Sequence, residues 1–172
     1  MTAMVEIRLL VTILLLQSFG GYPQKITKSG IDKFTGKNTI ETDGVIIAEP
    51  AGLMMKLVTF KTVDTTIFIY LGGTYGGGNV DTTDATIFLF NDKTTFKIYP
   101  TRAQTTKVIM GAEAYGHEYY ISKAQMEILA KNNPIAIRQG ISHSYVDMDI
   151  KSKAGRKISE LAAMVLKEMD KN

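Results

Sequence analysis

Residues Thr65–Tyr99 read TTIFIYLGGTYGGGNVDTTDATIFLFNDKTTFKIY, and this stretch decides the fold. Two dense runs of β-branched and aromatic residues, Ile67–Leu71 and Ile87–Phe90, are too short for helices and are bounded by turn residues. Both runs place apolar residues at odd and even positions, which predicts strands covered on both faces. Residues Thr95–Tyr99 alternate apolar and polar side chains instead, which indicates a strand with one solvated face.

A tight turn is predicted between the last two runs. Asn91–Lys93 separates them, and Asn and Asp tolerate the left-handed backbone angles that hairpin turns need. We therefore expect Ala85–Phe90 and Thr94–Tyr99 to pair as antiparallel neighbours.

The connection between the first two runs is longer and rich in glycine. Five glycines lie between Gly72 and Gly78, and no Lys-Ser or Lys-Thr follows them as in a phosphate-binding loop. Because glycine adds backbone entropy and few apolar side chains can hold the segment, Gly72–Asp84 is predicted to be a mobile, exposed connection. Tyr75 at its centre is a candidate ligand contact.

The flanking sequence supplies further strands and two helices. Lys25–Lys37 is polar and contains glycine, which indicates an entry segment, whereas Thr39–Thr42 alternates weakly like an edge strand. Ser122 and Gln125 form a capping-box pattern before a short helix at Lys123–Lys131. Ala154–Met169 carries an apolar stripe at helical period, made of Ile158, Leu161, Ala162, Val165, Leu166 and Met169.

Together these elements predict an α+β protein. Counting apolar runs gives about eight strands in a mostly antiparallel sheet, folded as a sandwich or an open barrel. One short helix is expected late in the chain and one amphipathic helix at the C-terminus. Helices do not alternate with strands, which argues against a doubly wound parallel sheet.

The N-terminus is typical of a secretory signal peptide. Arg8 precedes the apolar segment Leu9–Leu16, and Ser18-Phe19-Gly20 offers small residues at a cleavage site. The apolar segment is too short to span a bilayer. We expect a signal peptide over residues 1–20, a single domain over residues 21–172, no integral membrane span after cleavage, and a secreted or periplasmic protein.

Composition narrows the class of protein. The 172 residues are 22% charged and 45% hydrophobic, which is ordinary for a globular domain. A net charge of +3 is too mild to indicate nucleic-acid binding. The chain has no cysteine, so disulfides, thiolate nucleophiles and cysteine metal sites are excluded.

Three short motifs resemble small secreted or periplasmic bacterial proteins of unknown function. These are Asp32-x-Phe34-Thr35-Gly36, Tyr120-Ile121-Ser122 before the short helix, and Ile135–Arg138 after it. The resemblance implies a location in the cell envelope. It carries no functional residue with it.

Few residues indicate chemistry. The chain has only two histidines, His117 and His143, and no HExxH motif, so no metal or cofactor site is predicted. Ser142, His143 and Asp147 have the residue types of a hydrolase triad but crowd into one segment, and no GxSxG is present. Asp147 and Asp149 share one strand face, with Arg138 as a cross-strand partner if the last two strands form a hairpin.

A non-catalytic domain that binds an unknown ligand or protein partner is the function that this pattern favours. Its candidate contacts are Tyr75, Tyr119, His143 and Asp147, and no catalytic residue is assigned. The alternative is a small hydrolase using His143 or the Asp147/Asp149 pair. Histidines clustered with acids in a cleft would favour the hydrolase.

Overall fold

The computed structural model describes residues 24–48, 56–74, 78–104, 107–109 and 112–171. The predicted signal peptide and Tyr75 lie outside these residues. Within them the chain forms eleven strands and two helices: β1 (Ile26–Ile31), β2 (Asn38–Thr42), β3 (Val45–Ala48), β4 (Lys56–Val63), β5 (Thr66–Thr74), β6 (Thr86–Phe90), β7 (Thr95–Pro100), β8 (Lys107–Ile109), β9 (Ala112–Ile121), α1 (Lys123–Lys131), β10 (Pro134–Ile141), β11 (Ser144–Asp149) and α2 (Ser152–Met169).

The strands form one open, antiparallel sheet. Its order is β1-β2-β4-β5-β9-β7-β6-β10-β11, with β3 paired to β4 and β8 paired to β9. Strand β9 lies between β5 and β7, so it joins the early strands to the later ones. The predicted α+β class with a mostly antiparallel sheet is confirmed.

The C-terminal helix closes the core. Helix α2 contacts β1–β4 near one end of the strand path and β10 near the other, so the sheet curves around it. Ile158, Leu161 and Val165 on the predicted apolar stripe are fully buried. The stripe therefore packs on the sheet, as amphipathic helices of globular proteins do.

Features that depend on residues close in sequence largely match the predictions. Ser122 and Gln125 form the predicted capping box at the start of α1, and Met126 and Leu129 are buried. Strands β6 and β7 pair antiparallel as predicted. In their turn, however, the left-handed residue is Lys93, with φ of 67°, and not Asn91 or Asp92. A three-residue hairpin loop places its left-handed residue last, and this geometry overrides the preference of Asn and Asp.

The prediction that both faces of the central strands are covered was wrong on one face. Ile67 and Ile69 of β5 are buried, whereas Phe68 between them is half-buried. Phe88 and Leu89 of β6 differ in the same way. The second face of these strands is therefore only partly covered.

Two further predictions were wrong at the edges. Residues Ile26–Ile31 form edge strand β1, where the polar sequence indicated only an entry segment, and β2 is therefore an inner strand. The eleven strands also exceed the predicted eight. Polar side chains are compatible with an edge strand because only its backbone must pair.

The glycine segment is more ordered than predicted at both of its ends. Gly72 and Gly73 belong to β5 and pair with Gly116 and Tyr115 of β9. Val80 is only 2% exposed and forms a β-bridge with Gln104. Backbone pairing and burial outweigh the entropy of glycine here. Neither helix of the described chain is long and apolar enough to cross a membrane.

Candidate functional site

One end of the protein interior is polar. His117 and Tyr119 of β9, Gln139 of β10 and Thr86 of β6 are all fully buried. The Gln139 side-chain nitrogen donates to the Tyr119 hydroxyl at 2.9 Å and lies 3.0 Å from Nδ1 of His117. Elsewhere the inward face of the sheet is dominated by Ile, Val, Leu and Phe. A buried polar cluster of this kind needs hydrogen-bond partners to offset its desolvation.

The buried environment of the cluster changes the titration of Tyr119. Burial raises the pKa of Tyr119 above its ordinary value, and the hydrogen bond from Gln139 partly offsets this rise. The nearby Asp84 carboxylate also raises this pKa. Tyr119 is therefore a neutral phenol at physiological pH.

A surface pocket of about 300 Å³ lies at the same end of the sheet. It is lined by Asn79, Val80, Asp81, Asp84, Ala103, Gln104, Ser142 and His143. Asp84 connects the two features, since it lines the pocket and acts electrostatically on Tyr119. Asp84 is 8% exposed, and one of its carboxylate oxygens accepts the backbone N–H of Asp81 at 2.8 Å.

Glycine at position 140 brings the pocket walls together. The Gly140 N–H donates to the carbonyl of Ala85 at 3.0 Å. A Cβ atom at this position would lie 2.8 Å from that carbonyl oxygen and 3.1 Å from the Asp84 side chain. Only glycine allows β10 to approach the segment that carries Asp84 so closely.

The pocket also includes a strained turn. Ser142 and His143 form the two-residue loop between β10 and β11, and both have positive φ, at 48° and 64°. This is the type I′ geometry, which strongly prefers Asn-Gly. The Ser142 hydroxyl and N–H both donate to the Asn79 carbonyl, at 3.2 and 2.8 Å, which fixes the turn against the opposite wall.

The structure brings only some of the predicted site residues to this end. Tyr119 lies in the buried cluster and His143 lines the pocket, whereas Tyr75 lies outside the described residues. Asp147 is exposed on β11 and is held by Arg138, whose Nε and Nη2 donate to it at 2.6 and 2.7 Å. These bonds lower the pKa of Asp147 and confirm the predicted cross-strand pair. Arg138 also stacks on the ring of Tyr145.

The two histidines of the chain do not come together with acids in a cleft. His117 is buried against Gln139, whereas His143 is exposed in its turn, and the Ser142 hydroxyl is bonded to Asn79. Asp149 is exposed on the strand face that also carries Asp147. Among the described residues, no three His, Asp or Glu side chains gather as a metal site would require.

Sequence reasoning missed most of the pocket. Asp84 and Gln104 line the pocket, whereas Thr86 and Gln139 belong to the buried cluster. Gln139 lies opposite Thr86 because β10 pairs with β6, and Gln104 is brought in by its bridge to Val80, contacts that no local pattern encodes. One signal was present: His117 and Tyr119 alternate with Glu118 and Tyr120, which places the first two on one strand face.

Comparisons of the chain with models of known protein families, with characterised proteins and with solved structures gave no match.

Proposed function

We propose that the protein is a non-catalytic binding domain that takes a small polar ligand into the pocket beside Asp84. The observation that carries this proposal is the buried His117–Gln139–Tyr119 cluster at the end of the core that adjoins the pocket. Apolar side chains of similar volume would fill the same space without a desolvation cost. A polar lining at this end keeps a hydrated pocket next to the core.

The strained turn supports the same site. Non-glycine residues with positive φ cost about 1–3 kcal/mol each and cluster at ligand-binding positions. Ser142 and His143 are two consecutive residues of this type, and both line the pocket. Such a turn is expected where two residues are needed for their side chains, even though their backbone preferences do not suit the turn.

The chemistry of the walls favours a ligand that donates hydrogen bonds. Asp81 and Asp84 supply carboxylates, and Asn79 and Gln104 supply amide groups. No Lys or Arg of the described residues lines the pocket. A volume of about 300 Å³ is at the small end for ligand pockets. A small molecule rich in hydroxyl or ammonium groups therefore fits better than an anion.

Three matched sugars test this proposal by NMR titration. Glucosamine, glucose and glucuronate share a ring and differ in charge. We expect the backbone amides of Asn79–Asp84 and of Ser142 and His143 to shift most with glucosamine, less with glucose and least with glucuronate. Asp84→Asn should reduce the preference for glucosamine over glucose, because it removes one of the two carboxylates that line the pocket and keeps the shape.

Asp149→Asn provides the matched control, since Asp149 is an exposed carboxylate outside the pocket. It should leave the order of the three sugars unchanged. Titrations in which no pocket amide moves with any of the sugars, or in which glucuronate binds best, would contradict the proposal.

We further propose that the protein is exported to the periplasm or secreted. The apolar segment Leu9–Leu16 behind Arg8 supports this location. Expression of the full chain followed by mass spectrometry of the exported protein should give an N-terminus near Gly20 or Gly21. Recovery of exported protein that still begins at Met1 would count against a cleaved signal peptide.

A further inference from the structure

The loop between β1 and β2 presents a fully exposed phenylalanine. Phe34 is 98% exposed, more than any other large hydrophobic side chain of the described residues, and Ile31 beside it is 72% exposed. Most large apolar side chains of the described residues are buried against α2 or within the sheet. Two of them at the tip of an edge hairpin therefore form an exposed apolar point, which we name the Phe34 tip (Ile31–Lys37).

The Phe34 tip is held in one shape by its own hydrogen bonds. One carboxylate oxygen of Asp32 accepts the N–H groups of Phe34 and Thr35, at 3.0 and 2.9 Å, and the Thr35 hydroxyl at 3.0 Å. The Gly36 N–H donates to the Asp32 carbonyl at 2.8 Å, with Gly36 in the left-handed region at φ of 68°. The bonds from Thr35 lower the pKa of Asp32, so the carboxylate remains charged and bonded well below neutral pH. A loop built in this way presents Phe34 without further ordering.

The segment that carries the tip is basic in sequence, although acids of neighbouring segments lie at its base, with Glu41 opposite Lys28 and Asp43 bonded to the Lys25 N–H. Residues 25–37 contain four lysines and one aspartate, so this short segment carries a charge of +3, equal to that of the whole chain. All four lysines are exposed, and none takes part in the ion pairs recorded for the described residues. The one acid, Asp32, is engaged with the loop backbone.

We propose that the Phe34 tip docks on an anionic lipid surface, with Phe34 and Ile31 entering the headgroup region and the lysines facing lipid phosphates. Aromatic and aliphatic side chains flanked by basic residues are the pattern of interfacial membrane contacts. The tip lies on edge strand β1, so it can reach a flat surface. A stable protein partner needs at least about 1,000 Å² of interface, and two apolar side chains on a narrow loop supply little of it. This docking does not depend on the pocket.

Fluorescence gives a direct test because the chain contains no tryptophan. Phe34→Trp places a single fluorophore at the tip, and Tyr99→Trp places one at a half-exposed aromatic position on β7. With vesicles of phosphatidylcholine containing about one third phosphatidylglycerol, we expect the emission of the first variant to move to shorter wavelength and that of the second to stay unchanged. Because an apolar N-terminus alone would recruit both variants equally, only contact at the tip separates them.

Charge variants test the electrostatic part in the same vesicles. Lys33→Ala with Lys37→Ala in the Phe34→Trp chain should weaken vesicle binding about thirtyfold, because each lysine near an anionic surface contributes about a factor of five. Lys153→Ala with Lys167→Ala, two exposed lysines on α2, should leave binding within about twofold. Pure phosphatidylcholine vesicles should give no shift.

Three results would overturn the proposal. One is unchanged Phe34→Trp emission on anionic vesicles. Another is an equal shift on neutral vesicles, which would mean general adhesion of an apolar side chain. The third is a shift that depends on protein concentration without vesicles, which would mean that the tip contacts a second copy of the chain.

Discussion

Gln139 is the residue on which the polar end of the core depends. Its side-chain nitrogen contacts both His117 and Tyr119, and its own side chain is fully buried. Because a buried polar group left unsatisfied costs about 1–3 kcal/mol, one amide here stabilises two neighbours.

Gln139→Leu should therefore lower the free energy of unfolding by about 2–4 kcal/mol, because it removes the donor to the Tyr119 hydroxyl and the side-chain nitrogen that lies against Nδ1 of His117. A double-mutant cycle with Tyr119→Phe, followed by urea unfolding, isolates the pair. We expect the second substitution to cost about 1 kcal/mol less in the Gln139→Leu background than in the wild type. Strict additivity would show that the two side chains do not interact energetically.

Tyr119 makes stability depend on alkaline pH. Burial raises the pKa of its phenol in the folded protein, whereas the unfolded chain titrates at the ordinary value. The folded state therefore binds more protons above the ordinary pKa, and stability falls as pH rises from that value through the raised one. Below the ordinary pKa this contribution is fully present.

Tyr119→Phe should reduce the slope of unfolding free energy against pH in the alkaline range, measured by urea unfolding at a series of pH values. Tyr99→Phe removes a half-exposed phenol on β7 and serves as the matched control for the loss of a tyrosine hydroxyl. Equal slopes for the wild type and Tyr119→Phe would mean that the buried phenol titrates normally.

The hairpin of β10 and β11 is the element in which stability and binding oppose each other. Its turn residues Ser142 and His143 both have positive φ, and Lys93 has the same feature in the β6–β7 turn outside the pocket. Glycine adopts positive φ without strain. Substitution to glycine can therefore be compared between a turn that lines the pocket and a turn that does not.

Replacing Ser142-His143 by Asn-Gly should raise the free energy of unfolding by about 1–2 kcal/mol, since it relieves two strained residues in a type I′ turn. The same variant should lose the amide shifts caused by glucosamine. Lys93→Gly should also stabilise the protein while leaving those shifts intact. If the turn variant binds glucosamine normally, the strained turn is not needed for binding in the pocket.

Helix α2 supplies much of the core through one face. Leu161 is fully buried, whereas Leu166 on the same helix is only partly buried. Leu161→Ala should therefore cost about 2–5 kcal/mol in urea unfolding, through lost burial and the remaining cavity. Leu166→Ala should cost clearly less. Equal effects would contradict the packing of α2 on the sheet.

For the molecule as a whole, success in prediction from sequence depended on how far apart in the chain the contacting residues lie. The capping box at Ser122 and the pairing of β6 with β7 are set by residues close in sequence, and both were predicted. Edge strand β1 was missed because an edge strand needs little apolar sequence. The contact of Gln139 with His117 spans 22 residues and requires the strand order, which no local pattern encodes.

The position of β9 has a consequence for synthesis of the protein. Strands β1–β5 and the β6–β7 hairpin are complete before Ala112 is made, yet in the described sheet only β9 joins β5 to β7. The nascent chain therefore carries two unjoined pieces, with open strand edges, until most of its 172 residues exist. A fragment ending at residue 111 should show no cooperative unfolding, whereas the full chain should. The sheet of this protein can therefore be completed only late in synthesis, because β9 is made after both of the strands that it joins.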